Sequence, residues 1–411
     1  MKRIGIIGLG GRGTVLAQCF GGRPDARVVA VCDPNPVRTG RICQRLQITP
    51  ACFTQLDTML TQASLDAVVV TTPDYLHEAH ATTVLGHGLD VLVDKPLATT
   101  VRGAQNILDA AQRSGKTVMM GFNLRHDPTL RRVKEIVDQG VLGRIFLIEN
   151  REFYDGGKTY MARWNRRFDY SGGLWIHKGS HDFDVFHWLL GFPRPVRVSA
   201  TAGINALDAE HLPFTPDAGV PVGPTCHQCA YQQRCPDYWD AAQTGSEWDD
   251  QAMQIDHYAR DLCIYTSDKD VHDNGIAIVE YQGGIRASHL ECFVTSQTDR
   301  LYTIVGDRGQ AEVSLHQRTI LIRPRWSQET VLHQIPPLVG THGGADTGTV
   351  DAFLKVLHGE ISNTSTAEQG LWATAVGQAA EISARQGRMV KVSDLFESPA
   401  PMTPVLAGQS G

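Results

Sequence analysis

The sequence has no run of about 18 consecutive apolar residues, the length a membrane-spanning helix requires, so no membrane partner is expected. It also lacks an excess of positive charge. Thirty-eight Lys and Arg against 44 Asp and Glu leave a net charge of −6. A chain without a global basic field is a poor partner for nucleic acid or an anionic membrane. A disulfide framework is missing too: the nine cysteines are an odd number, and Cys19, Cys32, Cys43, Cys52 and Cys292 lie scattered. The opening "MKRIGIIGLGGRG" has too short an apolar core for a secretory leader and runs directly into a glycine-rich turn. It reads as a first strand, and the expected location is cytoplasmic. No internal repeat is seen.

What is present is ordinary for a globular protein: 411 residues, 20% charged and 42% hydrophobic, room for two or three domain-sized units. The first 120 residues alternate strand and helix. Apolar strand-like runs occur at 3–10, 26–33, 65–73, 89–96 and 116–123. Such alternation predicts a parallel sheet covered by helices on both faces. Beyond residue 125 the strands look longer and antiparallel, with a hairpin around Gly283-Gly284 and a helix at about 366–386. The predicted architecture is therefore α/β: a Rossmann domain over 1–124, then an α+β domain with a mainly antiparallel open sheet over 125–395. A cysteine-containing insertion is expected near 205–270 and a loose tail over 396–411.

Gly8-Leu9-Gly10-Gly11-Arg12-Gly13 fits G-x-G-x-x-G between a strand and a helix. Gly8 permits the tight turn, Gly10 lets a pyrophosphate approach the backbone, and Gly13 allows close helix packing. The helix N-terminus offers free N–H groups to the phosphates. Asp33 follows Gly13 by 20 residues at the end of the second strand, where a carboxylate accepts the ribose hydroxyls. It would repel a 2′-phosphate, so NAD is expected over NADP, with nearby Arg38 as a complication or a solvated helix residue. Thr71, Thr72, Pro73 and His77 close the third strand, and Asp94-Lys95-Pro96 close the fourth. All are expected at the cofactor crevice, with Asn123. Lys95 has a salt bridge as its alternative role.

The stretch "SGGLWIHKGSHDFDVFHWLLG" (171–191) reads as one helix and its lead-in. Residues i and i+4 share a helix face, so His177 and His181 could converge, with Asp184 a turn further on. A zinc site, an acid/base site and a packed structural helix are the three readings. Upstream, six cationic residues face three acidic ones between Arg151 and Lys178, interleaved with Tyr160 and Trp164. Arginine suits anions and aromatic faces suit sugar rings. A substrate pocket from Arg125, Tyr154, Arg163, Trp164, Lys178 and His181 is expected. The glycine-rich "GTHGGAD" (340–346) is a candidate closing loop with His342 as a contact. Cys226-x-x-Cys229-x5-Cys235 and Cys263 could hold a structural zinc; buried thiols or an iron–sulfur cluster are the alternatives.

The segments "GLGGRG", "TTPDYLHEAHA", "DKPLATT", "GFNLRHDP" and the histidine-rich stretch together resemble the Gfo/Idh/MocA oxidoreductases. The resemblance implies that Lys95 lies beside the nicotinamide and that His181 is the catalytic histidine. Many members carry an aspartate four residues before that histidine; here His177 stands there, followed by Lys178. A neutral imidazole can take the hydroxyl proton as a carbonyl forms, and an ammonium can stabilise the alkoxide. The expected activity is NAD-dependent oxidation of a secondary hydroxyl on a sugar, an anionic sugar derivative or a cyclitol. The alternative is a redox-neutral glycoside hydrolase proceeding by oxidation, elimination, hydration and reduction, with His177 or Lys178 as the additional base. A cofactor-sensing regulator is a third. The resemblance also implies a homodimer or homotetramer.

Overall fold

The computed structural model describes residues 1–46, 49–240, 250–336 and 341–397. The chain divides into two compact units. The first comprises Met1–Arg131, Asp249–His257 and Pro337–Thr374. Its first continuous segment runs to Arg131, past the expected boundary at 124, and two later segments join the same unit. Of the expected tail, residues 398–411 lie outside the described residues, as do 241–249 of the expected insertion.

Among the described residues the first unit holds six parallel strands: β1 (Lys2–Ile7), β2 (Ala26–Cys32), β3 (Ala51–Phe53), β4 (Ala67–Val70), β5 (Asp90–Val93) and β6 (Val118–Met120). Their order is β3-β2-β1-β4-β5-β6, so the winding reverses between β1 and β4 and opens a crevice at the carboxyl ends there. Apolar runs on both sides explain the parallel sheet: all four residues of β4 are fully buried. Strand β3 is the one the sequence did not announce. It is a three-residue, largely exposed edge strand and leaves no apolar run. Local signals set the helices: Thr100 Oγ1 accepts from Gly103 N at 3.0 Å to open Val101–Ser114, and Gly115 closes it at φ 65°. The core packs Ile4, Ile6, Leu16, Val69 and Leu92 against Val350, Phe353 and Leu354 of the late helix Ala345–Leu357. Burying each such side chain contributes about 1.5–3 kcal/mol.

The second unit comprises Arg132–Trp248, Tyr258–Pro336 and Ala375–Gly411. Its strands are β7 (Ile145–Phe153), β8 (Pro195–Gly203), β9 (Asn274–Tyr281), β10 (Arg286–Cys292), β11 (Asp299–Gly306), β12 (Gly309–Ser314), β13 (Thr319–Pro324), β14 (Val331–Gln334) and β15 (Val390–Lys391). They form one sheet ordered β14-β13-β12-β11-β7-β10-β9-β8-β15. Among the described residues only β7 and β10 run parallel; every other pair is antiparallel. The β9–β10 hairpin turns where expected, with Gly283 and Gly284 at φ 81° and 78°. Alternating burial along β9 and β10 shows one face packed and one open.

The histidine-rich stretch is two helices, Leu174–His177 and Ser180–Leu190. At the join, Gly179 N reaches back to Leu174 O at 3.0 Å and the regular ladder is lost. A Cβ on Gly179 would stand 2.7 Å from Trp175 O, so the close turn requires glycine. His177 ends the first helix and His181 lies in the first turn of the second, so the single helix expected for this stretch is interrupted between them. Among the described residues, no helix is long and apolar enough to cross a membrane.

Candidate active site

The first unit laces the carboxyl ends of its central strands together. Thr71 N donates to Ile7 O at 2.9 Å, Asp94 N to Val70 O at 2.9 Å, and Gly121 N to Val93 O at 2.7 Å. Thr71 Oγ1 adds bonds to Ile7 O and Gly8 O at 2.9 and 2.7 Å. On this platform the glycine loop is tight where the fold needs it. Gly8 has φ 83°, and a Cβ on Gly13 would stand 1.9 Å from Gly8 O. At Gly10 a Cβ would meet nothing within 4 Å. The loop is therefore open on the side where a pyrophosphate would approach, beside the first turn of Gly11–Phe20. These features fit a dinucleotide.

Asp33 is nearly buried and accepts from Leu9 N at 2.8 Å and Asn35 N at 2.9 Å. Burial pushes its pKa up, against the pull of those N–H groups and of Arg38. Arg38 is not a solvated residue: its Nη2 lies 2.7 Å from Asp256 Oδ2. His77 is buried, with Nδ1 2.6 Å from Pro96 O and Nε2 2.9 Å from Thr72 O, so it braces two strand ends. Partly buried Lys95 follows β5. Beside it, buried Asp74 is pushed up to about 7, because burial and Asp94 outweigh the pull of Lys95 and His77.

Arg12 points along the unit rather than standing alone. Its Nε lies 2.8 Å from Asp94 Oδ2 and its Nη1 2.9 Å from Asp346 Oδ1. Fully buried Asp346 also accepts from Asn123 Nδ2 at 2.9 Å and pairs with His342 Nδ1 at 2.7 Å. Despite its burial, His342, Arg12 and Asn123 hold the Asp346 carboxyl well below the usual range. One chain of contacts thus joins the glycine loop, the Asp94-Lys95 turn and "GTHGGAD". Arg125 is turned inward, its Nη1 2.6 Å from Thr364 O and 2.9 Å from Gln369 Oε1.

In the second unit, Lys178 Nζ lies 3.0 Å from Glu152 Oε1 and 4.5 Å from the centre of the Tyr154 ring. Arg300 pairs with the same Glu152 and, at 3.1 Å, with Asp182, which also accepts from Tyr302 Oη at 2.7 Å. Burial opposes the Lys178 charge, but Glu152 prevails and raises its pKa. Lys178 is therefore an ammonium at neutral pH and no base. His177 Nε2 lies 3.2 Å from Asn165 Nδ2, and its ring meets the edges of Tyr160 and Trp164 at 5.6 and 5.3 Å. Partly exposed His181 lies in the first turn of the second helix. Arg163 lies over Trp239 at 5.7 Å. His187 is buried edge-on to Tyr281 at 5.3 Å, a packing residue.

Cys226, Cys229, Cys235 and Cys263 do line one pocket, with Tyr231, Tyr238 and Tyr265. Yet among the described residues no group of three or more His, Cys, Asp or Glu side chains is placed to hold a metal ion. The zinc expectation finds no support. All four are free cysteines, and burial pushes the Cys226 thiol up to about 11.

Asp74, Asp346, Glu152, Arg300 and Asp256 were not foreseen. Asp74 and Asp346 lie inside motifs singled out for their neighbours. Asp256 stands 218 residues from Arg38, and no local spacing announces such a pair.

Comparison with known proteins shows the family of the chain. The model of the oxidoreductase family's NAD-binding Rossmann fold matches residues 2–122, and that of its C-terminal alpha/beta domain matches 134–392. The chain belongs to the Gfo/Idh/MocA oxidoreductase family. YteT of Bacillus subtilis (strain 168), named as an oxidoreductase without a substrate, is 29% identical over 83% of this chain and 84% of its own length. Inositol 2-dehydrogenase of Rhizobium meliloti (strain 1021) is 30% identical over 49% of this chain and 58% of its own. The 2,7-anhydro-N-acetylneuraminate hydratase of Mediterraneibacter gnavus is 28% identical over 51% and 55%. The chain thus spans little more than half of these last two relatives. The WlbA dehydrogenase of Bordetella pertussis, solved with NADH and UDP-GlcNAcA, shares the fold at TM-score 0.68 and 21% identity, covering 95% of this chain and 98% of that one.

Proposed function

We propose that the protein is an NAD-dependent oxidoreductase acting on a secondary hydroxyl of a sugar, an anionic sugar derivative or a cyclitol. The observation that carries this reading is the first unit's crevice: a glycine loop open at Gly10 and Lys95 at the end of β5, with Asp74 and Asp94 around that lysine. A bound nicotinamide would supply the two-electron acceptor. Gly8 to Gly13 and Asp33 would hold the dinucleotide, and Lys95 would stabilise negative charge developing on a substrate oxygen. His181, partly exposed, is assigned the hydroxyl proton. Tyr154, Tyr160 and Trp164 offer aromatic faces of the kind that suit the ring of a sugar or cyclitol. The inositol dehydrogenase among its relatives supports a cyclitol or sugar. We place the enzyme in the cytoplasm as a homodimer or homotetramer.

The hydratase relative favours one second reading, a redox-neutral reaction in which oxidation, elimination, hydration and reduction follow one another. Lys178 is not the additional base for it, being held as an ammonium; His177 is the remaining candidate. The test is to incubate the protein with NAD and a panel of cyclitols, free sugars, sugar acids and nitrophenyl glycosides, following NADH and nitrophenolate absorbance. NADH should accumulate, and Lys95→Ala and His181→Ala should each lower kcat by about 100-fold or more. Nitrophenolate release that needs NAD but builds up no NADH would replace the first reading with the second.

A further inference from the structure

The acidic helix Asp250–Asp256 belongs to the first unit although it lies far along the chain. Its last residue meets the ribose end of the nucleotide site. Asp256 Oδ2 accepts from Arg38 Nη2 at 2.7 Å, Arg38 Nε at 2.9 Å and Asn35 Nδ2 at 2.8 Å. Asn35 Nδ2 also donates to Ala252 O at 2.9 Å, and Asn35 Oδ1 accepts from Val37 N at 3.2 Å. Asn35 N in turn bonds Asp33 Oδ1 at 2.9 Å. The helix end is therefore fastened to the residues that flank the ribose carboxylate. The Arg38 and Asp256 side chains are 16% and 27% exposed, so the pair is only partly screened by water.

An arginine just past the second strand is the group that accommodates a 2′-phosphate. Here both of its contacting nitrogens are turned to a carboxylate from a segment 218 residues away. We propose that Asp256 sets the choice of dinucleotide: by holding Arg38 it denies a 2′-phosphate its cation and adds a second carboxylate beside Asp33. A 2′-phosphate carries close to two negative charges and would meet two carboxylates and a guanidinium already neutralised. NAD, with a hydroxyl there, meets no such penalty. The inference rests on the reading of this crevice as the dinucleotide site and deepens it.

The experiment is the dissociation constant of NADH and of NADPH, from nicotinamide fluorescence, for the full chain and its variants. Wild type prefers NADH. In Asp256→Asn the NADPH-to-NADH ratio of Kd falls by at least about tenfold, the scale of one charge-assisted hydrogen bond made available. Asp256→Glu keeps the wild-type ratio, and adding Arg38→Ala to Asp256→Asn removes most of the gain. Asp256→Ser serves in place of the Asn variant should that one fail to fold. An unchanged ratio in the Asn or Ser variant, or a gain that survives loss of Arg38 in full, overturns the proposal. Wild type binding NADPH as tightly as NADH overturns it alone and leaves the crevice reading standing. Wild type binding neither nucleotide overturns that reading and the proposal with it.

Discussion

The side chains around Lys178 form a buried four-charge group in which each cation answers a carboxylate. Lys178 and Arg300 are positive, Glu152 and Asp182 negative, and the two carboxylates are fully or almost fully buried. Taking one member away leaves a net charge out of water, and such a loss costs about 3–5 kcal/mol. Glu152→Gln keeps the shape and removes the charge. It is expected to lower the unfolding free energy by about that amount at neutral pH. Urea denaturation checks it: a midpoint that stays within error of wild type would show the charges are solvated instead. The sequence displayed the excess of cations in this segment but not its consequence. Glu152 sits on β7 and Arg300 on β11, and only the register of that antiparallel pair sets them side by side. The same applies to Arg12, legible as part of a glycine loop. Its partner Asp346 lies 334 residues away.

At the scale of the element, the glycine loop was the most legible feature because its chemistry is local. Three glycines with fixed spacing do three different jobs, and two of those jobs can be separated by experiment. A Cβ at Gly13 would collide with backbone at 1.9 Å, whereas one at Gly10 meets no protein atom within 4 Å. Gly13→Ala should therefore lower the thermal midpoint as well as nucleotide affinity. Gly10→Ala should leave the midpoint within about 2 °C of wild type, as a surface change does, while weakening NADH binding. Equal thermal losses in both variants would show that Gly10 is a fold glycine and not an opening for phosphate. The histidine-rich stretch shows the limit of local reading. Its composition suits a helix throughout, yet Gly179 is packed against Trp175 O and the ladder breaks there. Periodicity cannot register a contact that forms only when Trp175 is seated.

For the molecule as a whole, fold class was legible because alternating apolar runs and long antiparallel strands differ in period and length. Which core a late segment joins was not: Val350 and Phe353 pack with Ile4 and Leu16, and apolar spacing carries no address. The same long-range assembly builds a buried acid–base cluster in the second unit that should shape stability against pH. Glu291 on β10 pairs with His272 Nε2 at 2.6 Å and His289 Nε2 at 3.2 Å, and His289 Nδ1 lies 2.6 Å from Asn150 Oδ1 on β7. Trp175 lies against both rings, with centroids at 4.7 and 5.7 Å. Burial would push Glu291 up, but hydrogen bonds from the two histidines outweigh it and bring it down to about 2. Burial would likewise lower His272, but Glu291, with smaller help from Glu381 and Asp273, raises it. A carboxylate with a depressed pKa stabilises the fold above its unfolded value of 4.5, and that contribution is lost as pH falls towards about 2. A histidine with a raised pKa stabilises below its unfolded value of 6.5 and loses that contribution as pH rises through the folded value. These are two sides of one interaction, so it is complete only between those unfolded values. Glu291→Gln should cost about 3 kcal/mol near pH 5.5 and less at pH 3 or at alkaline pH above the folded value of His272, which flattens the pH profile of the urea midpoint. Profiles for wild type and variant that run parallel from pH 3 to pH 9 would mean that the cluster is held by packing alone, with its charges absent.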